Sequence, residues 1–403
     1  MEANTLNYSV NKSIRLLLVD DSELFRKFIT ELLADNSALS IIGEAADGGE
    51  ALEILGKSDP DVILLDMEMP VIDGMDVLRQ IREHNSAPVI MVSSLSREGS
   101  ARCFDTLKNG AVDFIGKDSL HPKKGIDLLK KELLYRILCA SRVQSKKQPT
   151  DFQRQYPAVP DEAQKRRIIF CEDCGTRNII EPQSEGVTEE LRCHQCGDLL
   201  EAIVITKYRR VSAVAVIGAG RGAANNLLNI IPKVPENCGT TMIIVMQESA
   251  DFIESFTRYL NAVSSVKVIR LAEGMNIEGG NCYIASSHDH FSMVSHSTNY
   301  TIRKGTPISG HGPLDLMFES ISSILKNRMF ALVLSGHQLD GDKGMQQVRS
   351  NHGYGAVLNA ASCLCKELGE NILRKSAIDR IVDEQDCIEL LMTYASDQDS
   401  RLQ

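Results

Sequence analysis

Three aspartates are placed to do chemistry together. Asp20 and Asp21 follow the apolar run IRLLLV (14–19), and Asp66 closes VILLD (62–66). If these runs are neighbouring strands of a parallel sheet, the three carboxylates meet at its carboxyl edge, where such sheets bind ligands. An anionic cluster of this kind calls for a hard cation, and Mg²⁺ held by carboxylates, a carbonyl and water fits it. A carboxylate beside such an ion is a nucleophile towards a phosphoryl group. Ser93 ends the run PVIMVSS (88–94) and Lys117 follows AVDFIG (111–116). A hydroxyl and an ammonium would then line the same rim and contact phosphoryl oxygens.

Four cysteines form a second constellation, Cys171-x₂-Cys174 and Cys193-x₂-Cys196, each pair followed by glycine (Gly175, Gly197). Glycine permits the tight turn of a thiolate knuckle. Two knuckles make a tetrahedral Cys₄ set, which matches structural Zn²⁺. A closed set of four thiolates leaves no open coordination position, so the expected role is structure or docking. A redox CxxC is disfavoured, because there are two copies and no thioredoxin-like sequence around them.

A third feature is the glycine-rich turn in AVAVIGAGRGAANNLL. GAGRGA (218–223) fits the G-x-G-x-x-A dinucleotide fingerprint, with Glu248 near the place of a ribose-binding acid. Taken alone, this segment points to a dinucleotide.

The elements around these residues alternate. Short apolar runs at 14–19, 41–46, 62–66, 88–94 and 111–116 are separated by helical patterns; the first has Ser22 as N-cap and an apolar stripe through Leu33, and the fifth spans about 123–140. Alternation of this kind specifies a doubly wound parallel α/β sheet. Residues 142–164, with Pro149, Pro157 and Pro160 and no apolar period, read as a linker. A Cys-rich module at 165–203 follows. A second α/β pattern occupies 208–396, with strands expected at 213–218, 241–247, 266–271, 281–286, 330–336 and 355–360, and helices at 222–231, 250–262, 313–326 and 342–350.

Composition narrows the function classes. The net charge of −10 argues against nucleic acid as the main partner. No apolar run is long enough to span a membrane, and the opening MEANTLNYSVNKSIR lacks the apolar stretch of a secretory leader. Eleven cysteines, an odd number, favour reduced thiols and a cytoplasmic setting.

Residues 13–141 resemble a two-component receiver domain, through VDDSE, LLDMEMPVIDG, MVSSL and GAVDFIGKD. The resemblance implies a histidine kinase partner, Asp66 as phospho-acceptor, and Mg²⁺ bound by Asp20, Asp21, Asp66 and the Glu68 carbonyl. It also implies Ser93 and Phe114 as the switch pair and Lys117 as the phosphoryl contact. The sequence departs from the pattern at Asp118, where receivers usually carry proline after the lysine; that bears on loop geometry more than on chemistry.

Residues 208–396 are similar to the C-terminal domain of the chemotaxis protein-glutamate methylesterase family. The shared pieces, in order, are VIGAGRG, VMQESADFIESFTRYLN, YIASSHDH, GPLDLMFES, LVLSGHQLDGDKGM and LNAASC. The receiver resembles those of the same family, and the zinc module looks like an addition to its architecture. The family hydrolyses γ-glutamyl methyl esters on chemoreceptors with a Ser-His-Asp triad. In the family the receiver packs over the effector cleft and phosphorylation relieves it.

Here the triad is broken. Gly220 occupies the serine position of the family's G-A-S-T-G-G turn, Glu248 replaces the histidine after Gln247, and Asp340 alone persists. Lys366-Glu367-Leu368 replaces the family's GMP loop. Loss of Ser or His costs on the order of 10⁶ in kcat. The expected effector is therefore a pseudoenzyme. Ser212, Ser249 and Ser335 offer hydroxyls nearby, none at the strained strand–helix turn. Glu248, His337 and Asp340 around the old cleft offer a small cation site, and Arg221 at a helix start offers an anion contact; polar residues in a decayed cleft are the preferred reading of both. The whole reads as a chemotaxis or chemosensory response regulator, with chemoreceptors or their array as further partners, working as a phospho-dependent adaptor or a phosphate sink. An active methylesterase with relocated catalytic residues, and a dinucleotide sensor built on Gly218–Ala223, stay open.

Overall fold

The computed structural model describes residues 13–143 and 211–400, apart from 71, 85–86, 94–96, 121–124, 237, 297–298 and 308–309. Between these spans it describes 167–170, 177–180 and 195–196.

The N-terminal sheet is built from β1 (Ile14–Val19), β2 (Leu39–Ala45), β3 (Val62–Asp66), β4 (Val89–Ser93) and β5 (Asp113–Gly116). They alternate with α1 (Glu23–Leu33), α2 (Gly48–Leu55), α3 (Gly74–His84), α4 (Arg97–Lys108) and α5 (Ile126–Ser141). All pairings are parallel, in the order β2-β1-β3-β4-β5. That order makes β1 and β3 neighbours at the switch point, as the aspartate argument requires. Every residue of β3 and β4 is buried, because helices cover both faces. Ser22 caps α1 as expected: its Oγ accepts from the Phe25 amide at 3.3 Å.

Two short strands, β6 (Arg167–Phe170) and β7 (Arg177–Ile180), pair antiparallel. They belong to a separate compact unit, residues 148–210.

The second large sheet has seven parallel strands in the order β10-β11-β9-β8-β14-β15-β16. Along the chain these elements are β8 (Ala213–Ala219), α6 (Ala223–Ile230), β9 (Thr240–Met246), α7 (Ala250–Val263), β10 (Val268–Arg270) and β11 (Cys282–Ser286). The hairpin β12 (Phe291–His296) and β13 (Asn299–Lys304) follows, then α8 (Pro313–Leu325), β14 (Met329–Val333), α9 (Asp342–Ser350) and β15 (Tyr354–Leu358). The chain closes with α10 (Glu367–Lys375), β16 (Arg380–Val382) and α11 (Glu384–Ser400). One core layer lies under α8, α9 and α10, and the other under α6, α7 and α11.

The expected strand 330–336 ends early, at Val333. Beyond it the Leu334 amide still donates to Gly218 O of β8 at 2.9 Å, Ser335 O accepts from the Gly220 amide at 2.8 Å, and the Gly336 amide turns to Cys365 O at 2.8 Å. The two α/β halves also share one compact unit. A single apolar cluster contains Phe104 and Leu107 of α4 together with Phe256 and Leu260 of α7. Among the described residues no helix is long and apolar enough to cross a membrane.

Candidate functional site

Asp20 lies just past β1 and Asp66 at the end of β3; both are 1 % exposed, while Asp21 is open to solvent. One ligand oxygen from each of the three lies within 4.8 Å of the others. Lys117 Nζ stands 2.8 Å from Asp66 Oδ2 and 2.9 Å from Asp20 Oδ2. Burial lifts the Asp66 carboxyl to about 6, the Lys117 hydrogen bond pulls the other way, and the Asp20 charge adds to the rise. The Glu68 amide donates to Asp66 Oδ1 at 3.3 Å. Two buried carboxylates and one exposed one, with a single ammonium between them, form an all-oxygen donor set that fits a small hard cation with open positions for water. Despite Asp118, the segment after β5 brings its lysine home: Lys117–Leu120 is a 3₁₀ turn fastened by Ser119 Oγ donating to Gly116 O at 2.7 Å. Ser93 is fully buried and pairs in register with Gly116, one residue from Lys117.

Phe114, the other member of the expected switch pair, points away from this cluster to the second half of the chain. Its ring stacks on Phe252 of α7 with centroids 5.7 Å apart and planes at 10°. Phe104 of α4 completes the contact, 5.5 Å from Phe252 and 5.1 Å from Phe256. Such ring pairs each add about 0.5–1.5 kcal/mol beyond the area they bury. Polar contacts flank the rings. Tyr259 donates to Asp105, Tyr135 Oη donates to Glu367 at 3.0 Å, and Arg221 meets Glu132 at 3.2 Å. A cleft of about 740 Å³ remains along this seam, lined by Asp113, Phe114 and Arg136 from one side and Arg221, Glu248 and Phe252 from the other. Sequence reasoning missed Phe104, Glu132, Tyr135, Arg136, Phe252 and Phe256. The available signal was the aromatic spacing 252, 256, 259 along α7.

At the turn after β8 a side chain has no room. A Cβ built on Gly220 would stand 2.6 Å from Gly336 Cα and 2.8 Å from Gln247 Oε1. Glycine is required here because two backbones approach each other, tied by the Gly220–Ser335 hydrogen bond. The rest of the glycine-rich turn is pinned by its neighbours. Leu364 packs over Gly222, which has a φ of +82°, and Ser335 Oγ donates to Arg221 O at 2.7 Å. The glycines of the dinucleotide-like fingerprint are thus accounted for by close packing.

The three acidic and basic positions expected around the old cleft are not gathered into a site. Among the described residues, Asp20, Asp21 and Asp66 form the only group placed to share a metal. Asp340 is buried and serves α8: it accepts from the amides of Leu314 (2.9 Å) and Asp315 (3.3 Å), and from Gly341 (2.7 Å). Burial still lifts it to about 6. Glu248 faces the seam, where burial pushes it up to about 7 against the pull of the Arg136 and Arg221 guanidiniums. His337 lies beside the Tyr135 ring, and burial lowers its pKa. Arg221, at the edge of the cleft, pairs with Glu132, with Tyr135 under its guanidinium. The nearby hydroxyls are occupied too. Ser335 Oγ accepts from Cys365 N at 3.0 Å, and Ser249 caps α7 by accepting from Phe252 N at 3.2 Å. Ser212 precedes β8, at the opposite end of that strand from Gly220. Cys171, Cys174 and Cys193 lie outside the described residues, and Cys196 is exposed.

Residues 16–129 match the response regulator receiver domain, and residues 215–391 match CheB methylesterase. The chain is 28 % identical over 356 residues to a protein-glutamate methylesterase/protein-glutamine glutaminase of Symbiobacterium thermophilum, covering 88 % of this chain and 90 % of that protein. A protein of the same description from Halalkalibacterium halodurans is 28 % identical over 382 residues, covering 94 % and 96 %. Among solved structures, the response regulator domain of Thermotoga maritima CheB is 39 % identical, with a TM-score of 0.30, covering 33 % of this chain and 98 % of that one.

Proposed function

We propose a function from one premise: this chain joins a receiver domain to a CheB methylesterase domain, matching the CheB-like protein-glutamate methylesterase family, and so has the make-up of a chemotaxis-type response regulator. The proposed units are the receiver at 13–141, a linker at 142–164, a zinc ribbon at 165–203 and the effector at 208–396. A histidine kinase donates its phosphoryl group to Asp66. Asp20, Asp21, Asp66 and the Glu68 carbonyl would hold Mg²⁺, which when bound neutralises charge on the transferred group. The Asp66 carboxylate is the attacking oxygen. Lys117, now shared between Asp66 and Asp20, turns its ammonium to the phosphoryl oxygens, and Ser93 donates to them. The setting is cytoplasmic, and chemoreceptors or their array are the further partners.

The effector binds rather than hydrolyses, or serves the kinase as a phosphate sink. The observation that carries this is the 2.6 Å approach of Gly336 Cα to any Cβ at position 220. The turn that would present a nucleophile is closed on its neighbour, Asp340 holds the first amides of α8, and Glu248 faces the seam rather than that turn. Methanol release from methylated receptors by the phosphorylated protein tests it.

Phe114 couples the two halves. Its ring lies on Phe252, so a switch that moves Phe114 removes a docking contact. Phe252→Ala is expected to weaken docking by about 2 kcal/mol, the order for losing a partly buried ring. The readout is amide exchange: α4 and α7 should exchange faster without any phosphorylation. Unchanged protection in both helices would remove this contact from the coupling.

Zinc bound by Cys171, Cys174, Cys193 and Cys196 is supported by their spacing and by the antiparallel pair β6–β7, which flanks the first two. Elemental analysis is expected to give about one Zn per chain. Cys171→Ser should lose it and leave phosphorylation of Asp66 intact. Metal-free protein with all four thiols freely titratable would refute the assignment.

A further inference from the structure

Two thiols meet across the seam between receiver and effector. Cys139 lies on α5 and Cys365 in the loop between β15 and α10, with their sulfurs 3.2 Å apart and both residues buried. The backbone at Cys365 is held in place: its amide donates to Ser335 Oγ at 3.0 Å, and its carbonyl accepts from the Gly336 amide at 2.8 Å. Around the pair the same two elements are already joined. Tyr135, one turn before Cys139, donates to Glu367, and Leu364 packs against the core of the receiver. A disulfide needs its sulfurs at about 2.05 Å. The sulfurs at 3.2 Å are already in contact and must move about 1 Å closer.

We propose that Cys139 and Cys365 form a redox modification site, at which hydrogen peroxide drives a disulfide that fastens receiver helix α5 to the effector loop. The chemistry balances in two steps. When the domains part, the Cys139 thiolate attacks one peroxide oxygen and breaks the O–O bond, giving a sulfenic acid and hydroxide, which takes up the proton Cys139 has lost. On redocking, Cys365 sulfur attacks the sulfenic sulfur and breaks its S–O bond, and the departing hydroxide leaves with the Cys365 proton as water. Two thiols and one peroxide thus become one disulfide and two waters. Once formed, the bond keeps the halves docked whatever the state of Asp66. That last consequence rests on the coupling proposed above; the bond itself needs only that the halves open far enough for peroxide to reach Cys139.

The test uses full-length reduced protein, with and without peroxide, followed by alkylation and tryptic mass mapping. The expected product is peptide 137–142 joined to peptide 350–366, released by dithiothreitol. Because the second peptide also holds Cys363, Cys363→Ser should keep the cross-link, and Cys139→Ser or Cys365→Ser should lose it. The wild-type map does not depend on any variant folding. Peroxide that consumes other thiols and leaves Cys139 and Cys365 open to alkylation overturns the proposal, as does a cross-link that persists in Cys365→Ser.

Discussion

Asp66→Asn is expected to bring phosphoryl uptake from acetyl phosphate and Mg²⁺ down to background, while the wild-type chain is labelled on that one residue. An amide of the same shape has no anionic oxygen to attack phosphorus. The neighbours do not substitute for it. Asp20 is held against Lys117 and its Oδ1 accepts from the Ser22 amide at 3.0 Å, and Asp21 lies outside the buried pair. EDTA should abolish labelling as well, because Lys117 alone does not offset three carboxylates and an incoming phosphoryl group. Labelling that survives Asp66→Asn unchanged would refute the assignment. The same variant has a stability signature in metal-free protein. Burial raises the folded-state pKa of Asp66 to about 6 from an ordinary value of about 4. The folded state therefore binds the proton more tightly than the unfolded one, and stability is lost as pH rises from about 4 to about 6. Asparagine carries no charge across that window and should flatten the slope.

Placing serine and histidine at the two positions proposed to have lost them is expected to create no hydrolysis. Gly220→Ser with Glu248→His rebuilds the triad on paper, beside Asp340. The new Cβ would meet Gly336 Cα at 2.6 Å, so the turn or the loop after β14 must move. Overpacking of this kind costs about 1–3 kcal/mol, and the shift it forces breaks the Gly220–Ser335 hydrogen bond that sets the turn. A histidine at 248 would face Arg136 and Arg221, which disfavour the imidazolium a general base must become. Asp340, which should orient it, already holds the first amides of α8. The double variant should unfold more readily than wild type and release methanol no faster. Release restored to a substantial fraction of an active relative's rate would mean that the cleft is intact apart from two side chains.

Much of this was legible in the residues. The parallel strands, the N-cap at Ser22 and the meeting of Asp20, Asp21 and Asp66 all follow from local patterns, because strand ends fix where those carboxylates lie. The hairpin β12–β13 escaped notice because Phe291, Met293 and Ile302 alternate among many polar residues. Helix α11 carries Cys387, Ile388, Leu391 and Tyr394 on one buried stripe, a helical period present in the sequence itself. The seam was illegible for a different reason. Phe104 and Phe252, or Cys139 and Cys365, come from distant segments whose spacing says nothing about their meeting. Asp340 and Arg221 looked like remnants of a catalytic cleft, yet their partners are a helix start and a receiver carboxylate. Those partnerships depend on tertiary packing that no local motif encodes.

The central claim is that this receiver controls an effector that does not hydrolyse. Methanol release from methylated chemoreceptors, measured with the Asp66-phosphorylated protein beside an active relative, tests it most directly. Loss of serine and histidine costs on the order of 10⁶ in kcat, so release should stay below roughly one part in 10⁵ of the relative's rate, with or without phosphorylation. Sustained release that rises on phosphorylation and falls in Asp66→Asn would contradict the claim and make this chain a working methylesterase with a nucleophile other than residue 220.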